Sequence, residues 1–290
     1  MGNQVKLLLI CMHSILFFCM KIDNEEVSAY QVLGQAAGLK GNVILQNQTN
    51  NEEIIVHGNG QTTNFSFKSS LKKNETFSIF VASHPVKQRC SLNNAAGDYQ
   101  TAKQSFVELT CNDIIINSYK KIFLTAAIFT GNLNANHTIA FADSACMTDT
   151  NFPGTGTYKA LLADQTRTAC TSANCLQGGI SEHLDWVLLP ETTYLRSNGT
   201  TEIFTTNTEG VLNFSIGNTM LNPFDTTVTD FWSGLSSDWT TNNKNCTNLI
   251  TLAAKDRGSR GSTNSILLQA ISNTPAVACT QTLPILCVEQ

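Results

Sequence analysis

Cysteine is the residue with the most chemistry to offer in this chain of 290 residues, which holds ten of them. Cys11 and Cys19 fall in the N-terminal stretch, and Cys90, Cys111, Cys146, Cys170, Cys175, Cys246, Cys279 and Cys287 form an even set beyond it. A thiol can hold zinc, attack a carbonyl or pair with another thiol. Cys170 and Cys175 have C-x4-C spacing, yet no second C-x2-C and no paired histidine stands in register, which argues against zinc. In an exported chain the compartment is oxidising, so pairing is the expected fate. Cys90 and Cys111 lie close in sequence and suit a local bridge. The other six allow fifteen pairings, and spacing does not choose among them.

Glu182, His183 and Asp185 come nearest to a catalytic constellation. A hydrolase needs a nucleophile beside its base and an oxyanion site facing both. The chain has no Gly-x-Ser-x-Gly elbow, no His-Glu-x-x-His and no glycine-rich phosphate loop. The stretch His183-Leu184-Asp185-Trp186-Val187-Leu188 instead alternates, which predicts a strand with its polar residues on one face. No catalytic residue, cofactor or metal is expected, and the protein is not expected to be an enzyme. Lys255, Arg257 and Arg260 are the best candidates for contact with an anionic ligand. Trp186, Trp232 and Trp239 are expected in the core. Seven Asn-x-Ser/Thr sequons run from Asn47 to Asn245, as chance allows in so Asn- and Thr-rich a chain.

These side chains need elements to position them, and the chain must first be exported. Lys6 precedes the apolar run Leu7–Phe18, which has the length of a signal peptide over residues 1–19 and is short for a bilayer span. Cys19 follows that run directly, with Leu16 three residues before it. This resembles a bacterial lipobox, in which the cysteine is acylated, although Phe18 stands where such boxes prefer a small residue. The expected location is therefore the cell surface or outer membrane, lipid-anchored through Cys19, or otherwise secreted. Only 14% of residues are charged and the net charge is −4, with no basic block. Phosphate-neutralising side chains are too few for a nucleic-acid partner.

The length predicts two domains. After a linker over 20–31, residues 32–111 show short apolar stretches about ten apart: Val43–Leu45, Ile54–Val56, Asn64–Phe67, Phe77–Val81 and Phe106–Leu109. Turn signals such as His57-Gly58-Asn59-Gly60 separate them, which is how a mostly β sandwich reads. A linker over 112–120 leads to a second domain, 121–290. There Lys121–Thr125 and Tyr158–Leu162 read as strands, and Ala140–Met147 has helical spacing before Pro153-Gly154. That domain is expected to be α+β, loop-rich and disulfide-stapled.

The first unit is similar to an immunoglobulin-like repeat of spirochaetal surface lipoproteins. The resembling residues are Gly38-Leu39-Lys40-Gly41-Asn42-Val43, Leu45-Gln46-Asn47, Phe65-Ser66-Phe67, Gln88-Arg89-Cys90-Ser91 and Leu109-Thr110-Cys111. The second unit resembles the leptospiral endostatin-like family of surface proteins. It does so at Asn151–Leu162, at Glu182-His183-Leu184-Asp185-Trp186-Val187-Leu188, at Phe231-Trp232-Ser233-Gly234-Leu235 and at Leu286-Cys287-Val288-Glu289-Gln290. This resemblance implies a fold similar to collagen endostatin and, more distantly, to C-type lectins. It implies bridges Cys146–Cys287 and Cys246–Cys279, with Cys170–Cys175 closing a local loop. Leu249 departs from the pattern, standing where the family's tryptophan is expected.

The resemblance also implies a role. Members of the family are associated with extracellular-matrix proteins such as laminin and fibronectin, with plasminogen and with complement regulators. The expected function is a non-enzymatic adhesin for such host proteins. The alternatives are a structural or self-associating envelope protein, and a calcium-independent carbohydrate-binding module. Calcium-dependent sugar binding is disfavoured, because Asn222-Pro223-Phe224-Asp225 and Asp238-Trp239 lack the oxygen ligands that such lectins supply.

Overall fold

The structure is a computed structural model and describes residues 29–104, 106–227 and 229–290. The expected signal peptide, Cys19 and residues 20–28 of the expected linker lie outside the described residues. The described residues are mostly β, with several sheets and four disulfides. Among the described residues no helix is long and apolar enough to cross a membrane.

The N-terminal unit runs through β1 (Ala29–Ala37), β2 (Asn42–Asn47), β3 (Glu52–His57), β4 (Thr63–Lys72), β5 (Thr76–Ser83), β6 (Gln88–Asn93), β7 (Ala96–Asp98), the short helix α1 (Tyr99–Gln104) and β8 (Val107–Asp113). Strand β1 therefore takes up residues 29–31, which the sequence reading gave to a linker. Two four-stranded sheets form, in the orders β4-β1-β8-β6 and β3-β2-β5-β7. All pairings are antiparallel except β1 with β8. The sheets share one core, built from Val32, Leu45, Val56, Phe67, Phe77, Val107 and Leu109. Strand residues that alternate inward and outward put these side chains on the facing surfaces. Cys90 and Cys111 stand directly opposite each other on β6 and β8 and are bridged.

The second unit contains β9 (Tyr119–Leu124), β10 (Phe129–Thr130), α2 (Ile139–Thr148), β11 (Tyr158–Ala160), β12 (Thr193–Arg196), β13 (Glu202–Thr205), β14 (Asp230–Trp232), β15 (Arg257–Ser262), β16 (Asn273–Ala278), β17 (Thr282–Leu283) and β18 (Leu286–Glu289). A five-stranded sheet has the order β11-β18-β9-β12-β13, and β14-β15-β16 and β10-β17 form smaller sheets. The large sheet is buried on both faces. Ile122, Leu286 and Val288 point to one core with Trp186, Tyr194, Phe204 and Trp239, and Phe123 and Cys287 point to the other with Tyr158, Trp232 and Ala142 of α2. The two-residue period of a strand produces this division. Phe231 and Trp232 divide in the same way. All three tryptophans lie in these cores.

Helix α2 starts where Thr138 Oγ1 accepts the Phe141 N–H at 3.2 Å, a side-chain N-cap. It is stapled to the last strand by Cys146–Cys287, and Cys170–Cys175 closes a five-residue separation. Cys246–Cys279 ties the left-handed turn Cys246–Leu249 to the end of β16. Leu249 is buried in the same core as Trp232 and that bridge, filling the place where a tryptophan was expected. Gly234 has φ +66°, and a Cβ there would lie 2.0 Å from the Ala163 carbonyl oxygen, so only glycine fits.

The two units are docked. Ile44, Ala82 and Ile216 form a buried cluster with Phe80 and Leu176, and Val86 packs against the core of the second unit. The Asn42 side-chain amide donates to the Ile216 carbonyl. Lys87 pairs with Glu202 at 2.7 Å and Arg89 with Glu191 at 2.8 Å.

Candidate functional site

The segment that carries Glu182, His183 and Asp185 is irregular, where an alternating strand was expected. Asp185 has φ +45°, which breaks the pleat. After it Trp186, Val187 and Leu188 are buried in succession, and Leu184 is exposed. One backbone bridge, Leu184 with Thr168, is all the strand pairing here, and side-chain hydrogen bonds hold the rest. Glu182 accepts from Thr171 N at 2.8 Å, Ser172 N at 2.6 Å, Ser172 Oγ at 2.6 Å and Gly178 N at 2.7 Å. Partial burial pushes its carboxyl up, but these donors outweigh it and hold the group at about 2. Glu182 therefore anchors the loop closed by Cys170–Cys175.

His183 and Asp185 have other tasks. His183 Nε2 lies 3.0 Å from the Glu209 carbonyl, and burial lowers its proton affinity. The neighbouring Gly210 has φ +68°, and a Cβ there would come within 2.8 Å of His183 Cε1. Asp185 accepts from Lys159 and Arg167; burial raises its carboxyl, and these two cations bring it below the usual range. The three side chains serve three separate anchoring roles and share no reacting point.

Arg167, only 1% exposed, is the centre of a buried polar cluster. Its Nε and Nη2 reach Asp185, its Nη1 and Nη2 reach Asp143 of α2, and Nη1 also reaches the Ala160 carbonyl. All five donors of the guanidinium fork are satisfied. The Asp164 carboxylate accepts from Thr166 N and Arg167 N, which folds the Asp164–Arg167 turn so that the arginine points inward. Outside this cluster lies a cleft of about 500 Å³, lined in part by His137, Thr138, Gln165, Asn248 and Ile250. Its carboxylates, amides and hydroxyl can orient a polar group. Among the described residues no group of three or more His, Cys, Asp or Glu gathers as a metal site. Arg167 and Asp143 carry no motif in the sequence; the Asx-turn pattern Asp164-Gln165-Thr166-Arg167 is a local signal for Arg167 alone.

Lys255, Arg257 and Arg260 do not form a single basic patch. Arg260 is tied to Asp230, whose other oxygen accepts from Asn273 Nδ2 at 3.0 Å. Arg257 is exposed and donates to the Ala254 carbonyl at 2.7 Å, and Lys255 is exposed beside it. A separate apolar strip is open to solvent: Leu221 is 63% exposed, and Ile266, Leu267 and Leu268 are exposed alongside. The Met220 N–H donates to the Ile266 carbonyl at 2.8 Å, which sets the two segments side by side.

The described residues thus form a mostly β, disulfide-braced protein with polar loops held by side-chain hydrogen bonds. Residues 126–266, within its second unit, match a family described as Protein of unknown function (DUF1554). No curated protein matches the chain.

Proposed function

We propose that this chain is a non-enzymatic binding protein of the cell surface, an adhesin for host extracellular-matrix proteins, plasminogen or complement regulators. In this reading export follows a signal peptide, and a lipid on Cys19 anchors the chain in the outer membrane. The sandwich is an immunoglobulin-like module, and the second unit is an endostatin-like, C-type-lectin-like binding domain. The observation that carries the proposal is the apolar strip Leu221 with Ile266, Leu267 and Leu268, displayed on a disulfide-braced scaffold. Contiguous exposed apolar surface marks a place where another macromolecule docks. The separate anchoring roles of Glu182, His183 and Asp185 support a role without catalysis.

The same strip suits self-association, so the structural envelope role is the second reading. A solid-phase panel of laminin, fibronectin, plasminogen and factor H tests the first, with a glycan array beside it. Saturable binding of the oxidised chain, abolished by reduction, is the expected result. Silence across the panel together with concentration-dependent oligomers would replace it with the envelope role. Saturable glycan binding insensitive to chelators would replace it with a carbohydrate-binding module.

A further inference from the structure

We propose that the joint between the sandwich and the second unit is an acid-tightened latch, with the carboxyl group of Glu209 as its sensor. Glu209 lies in the turn after β13 and faces the end of β5. It is 8% exposed. Its side-chain partners are hydroxyls: Ser83 Oγ, from the sandwich, is 3.3 Å from Oε2, and Thr208 Oγ1 reaches Oε1. Asn207 Nδ2 approaches Ser83 Oγ at 3.5 Å and completes the contact across the joint. Among the described residues no cation makes an ion pair with this carboxylate. The nearest one acting on it, Arg89, is held by Glu191 at 2.8 Å. A charged Glu209 is therefore buried against dipoles alone, which is costly.

The sign follows from that burial. Burial pushes the Glu209 carboxyl above its usual range, and the Thr208 hydroxyl, its own backbone N–H, the Ser83 hydroxyl and Arg89 only partly offset it. If the units part, Ser83 leaves and water reaches the carboxylate, so its proton affinity returns toward the ordinary value. The docked form thus holds the proton more tightly. Its stabilising contribution is fully present below the ordinary glutamate value and is lost as pH rises through the raised, docked one.

Other titratable groups surround the joint. From the sandwich side, His84 accepts the Cys90 N–H at 3.1 Å on Nδ1, and burial followed by Arg89 lowers it to about 4. From the second unit, His183 lies against the Glu209 carbonyl and is lowered by burial. Both histidines disfavour the native form as pH falls below their ordinary value, which is opposite in sign to Glu209. Lys87–Glu202 and Arg89–Glu191 are partly exposed and screened by solvent. The glutamate's own contribution is therefore read by difference, in a variant that removes its charge alone.

The test is hydrogen exchange on the full chain and on its E209Q variant from pH 5 to 8, corrected for intrinsic exchange rates. Protection of segments 42–47, 83–89 and 207–217 is compared with that of the sandwich core. In the wild type, relative protection at the joint should fall by roughly tenfold for each unit by which docking raises the carboxyl. E209Q should lack that component and stay better protected at pH 8. Parallel slopes in the two proteins would overturn the proposal. If E209Q does not fold, a carboxyl carbon-13 titration of the wild type decides. A raised Glu209 value that rises further in Ser83→Ala supports the latch, and an ordinary value overturns it.

Discussion

The guanidinium of Arg167 meets both carboxylate oxygens of Asp143, Nη1 on Oδ1 and Nη2 on Oδ2, each at 2.8 Å. This two-toothed pair joins α2 to the Asp164–Arg167 turn, and Asp185 closes it from a third segment. Asp143 Oδ1 also accepts the Ala160 N–H at 2.8 Å, so the carboxylate spans helix, strand and turn. A planar fork matches a carboxylate in a way that an ammonium does not.

Arg167→Met should destabilise the chain, because Asp143 loses its counter-charge and Asp185 keeps only Lys159. Breaking a buried pair costs about 3 kcal/mol at the low end, which applies here because the carboxylates left behind are partly exposed. In differential scanning calorimetry this should appear as a fall in Tm of roughly 10 °C, given about 2–4 °C per kcal/mol for a domain of this size. Arg167→Lys should recover only part of it. Equal stability of Arg167→Met and wild type would show that the cluster is ornamental.

Glu182 predicts an acid-labile loop. Its folded carboxyl is depressed to about 2, below the ordinary value of 4.5. The group therefore contributes stability above 4.5, which is lost as pH falls from there toward 2. Because the side chain is only half-buried, solvent screening reduces the effect, and Glu182→Gln should cost only about 1 kcal/mol at neutral pH. The difference in Tm between wild type and variant should shrink as pH falls toward 2. A difference independent of pH would contradict the anchoring role.

The joint predicts that Val86 is a structural plug. It extends from the turn between β5 and β6 and packs on the second unit's core, next to a cleft of about 230 Å³ lined by Phe204 and Leu212. Val86→Asp should separate the units while leaving each one folded. Small-angle scattering should then give a larger radius of gyration, and near-ultraviolet circular dichroism should keep its tryptophan bands. An unchanged radius would show that Val86 does not hold the joint.

Legibility in the sequence followed the range of the physics involved. The strands around Val43–Leu45 and Phe77–Val81, and the helix around Ala140–Met147, are set by local alternation and spacing and were readable. His183–Leu188 alternates in sequence yet folds irregularly, because Asp185 turns left-handed to reach Lys159 and Arg167, 26 and 18 residues away. Arg167 gave no functional signal of its own, since both of its carboxylate partners come from distant segments. Val86 and Ile216 look like isolated apolar residues in polar stretches, and only the docking of the units shows what they cover. Lys255, Arg257 and Arg260 looked like a patch by proximity in sequence, but Asp230, 30 residues from Arg260, occupies one of them.

The disulfides allow a graded prediction. Cys146–Cys287 spans 141 residues and Cys170–Cys175 spans five. On the chain-entropy model the long bridge contributes about 5 kcal/mol and the short one about 2, because the cost of closing a loop grows with the logarithm of its length. Both bridges are buried, so serine replacements leave similar small defects, and loop length remains the main difference. C146S/C287S should therefore lower stability in urea by about 3 kcal/mol more than C170S/C175S. The short bridge also works together with Glu182, which holds the same loop through four backbone and hydroxyl donors of Thr171 and Ser172. Combining C170S/C175S with Glu182→Gln should then cost more than the sum of the separate losses, as neighbouring constraints on one loop do. Equal losses for the two bridge variants would mean that the second unit keeps residual structure when unfolded, which removes the entropic advantage of the long loop.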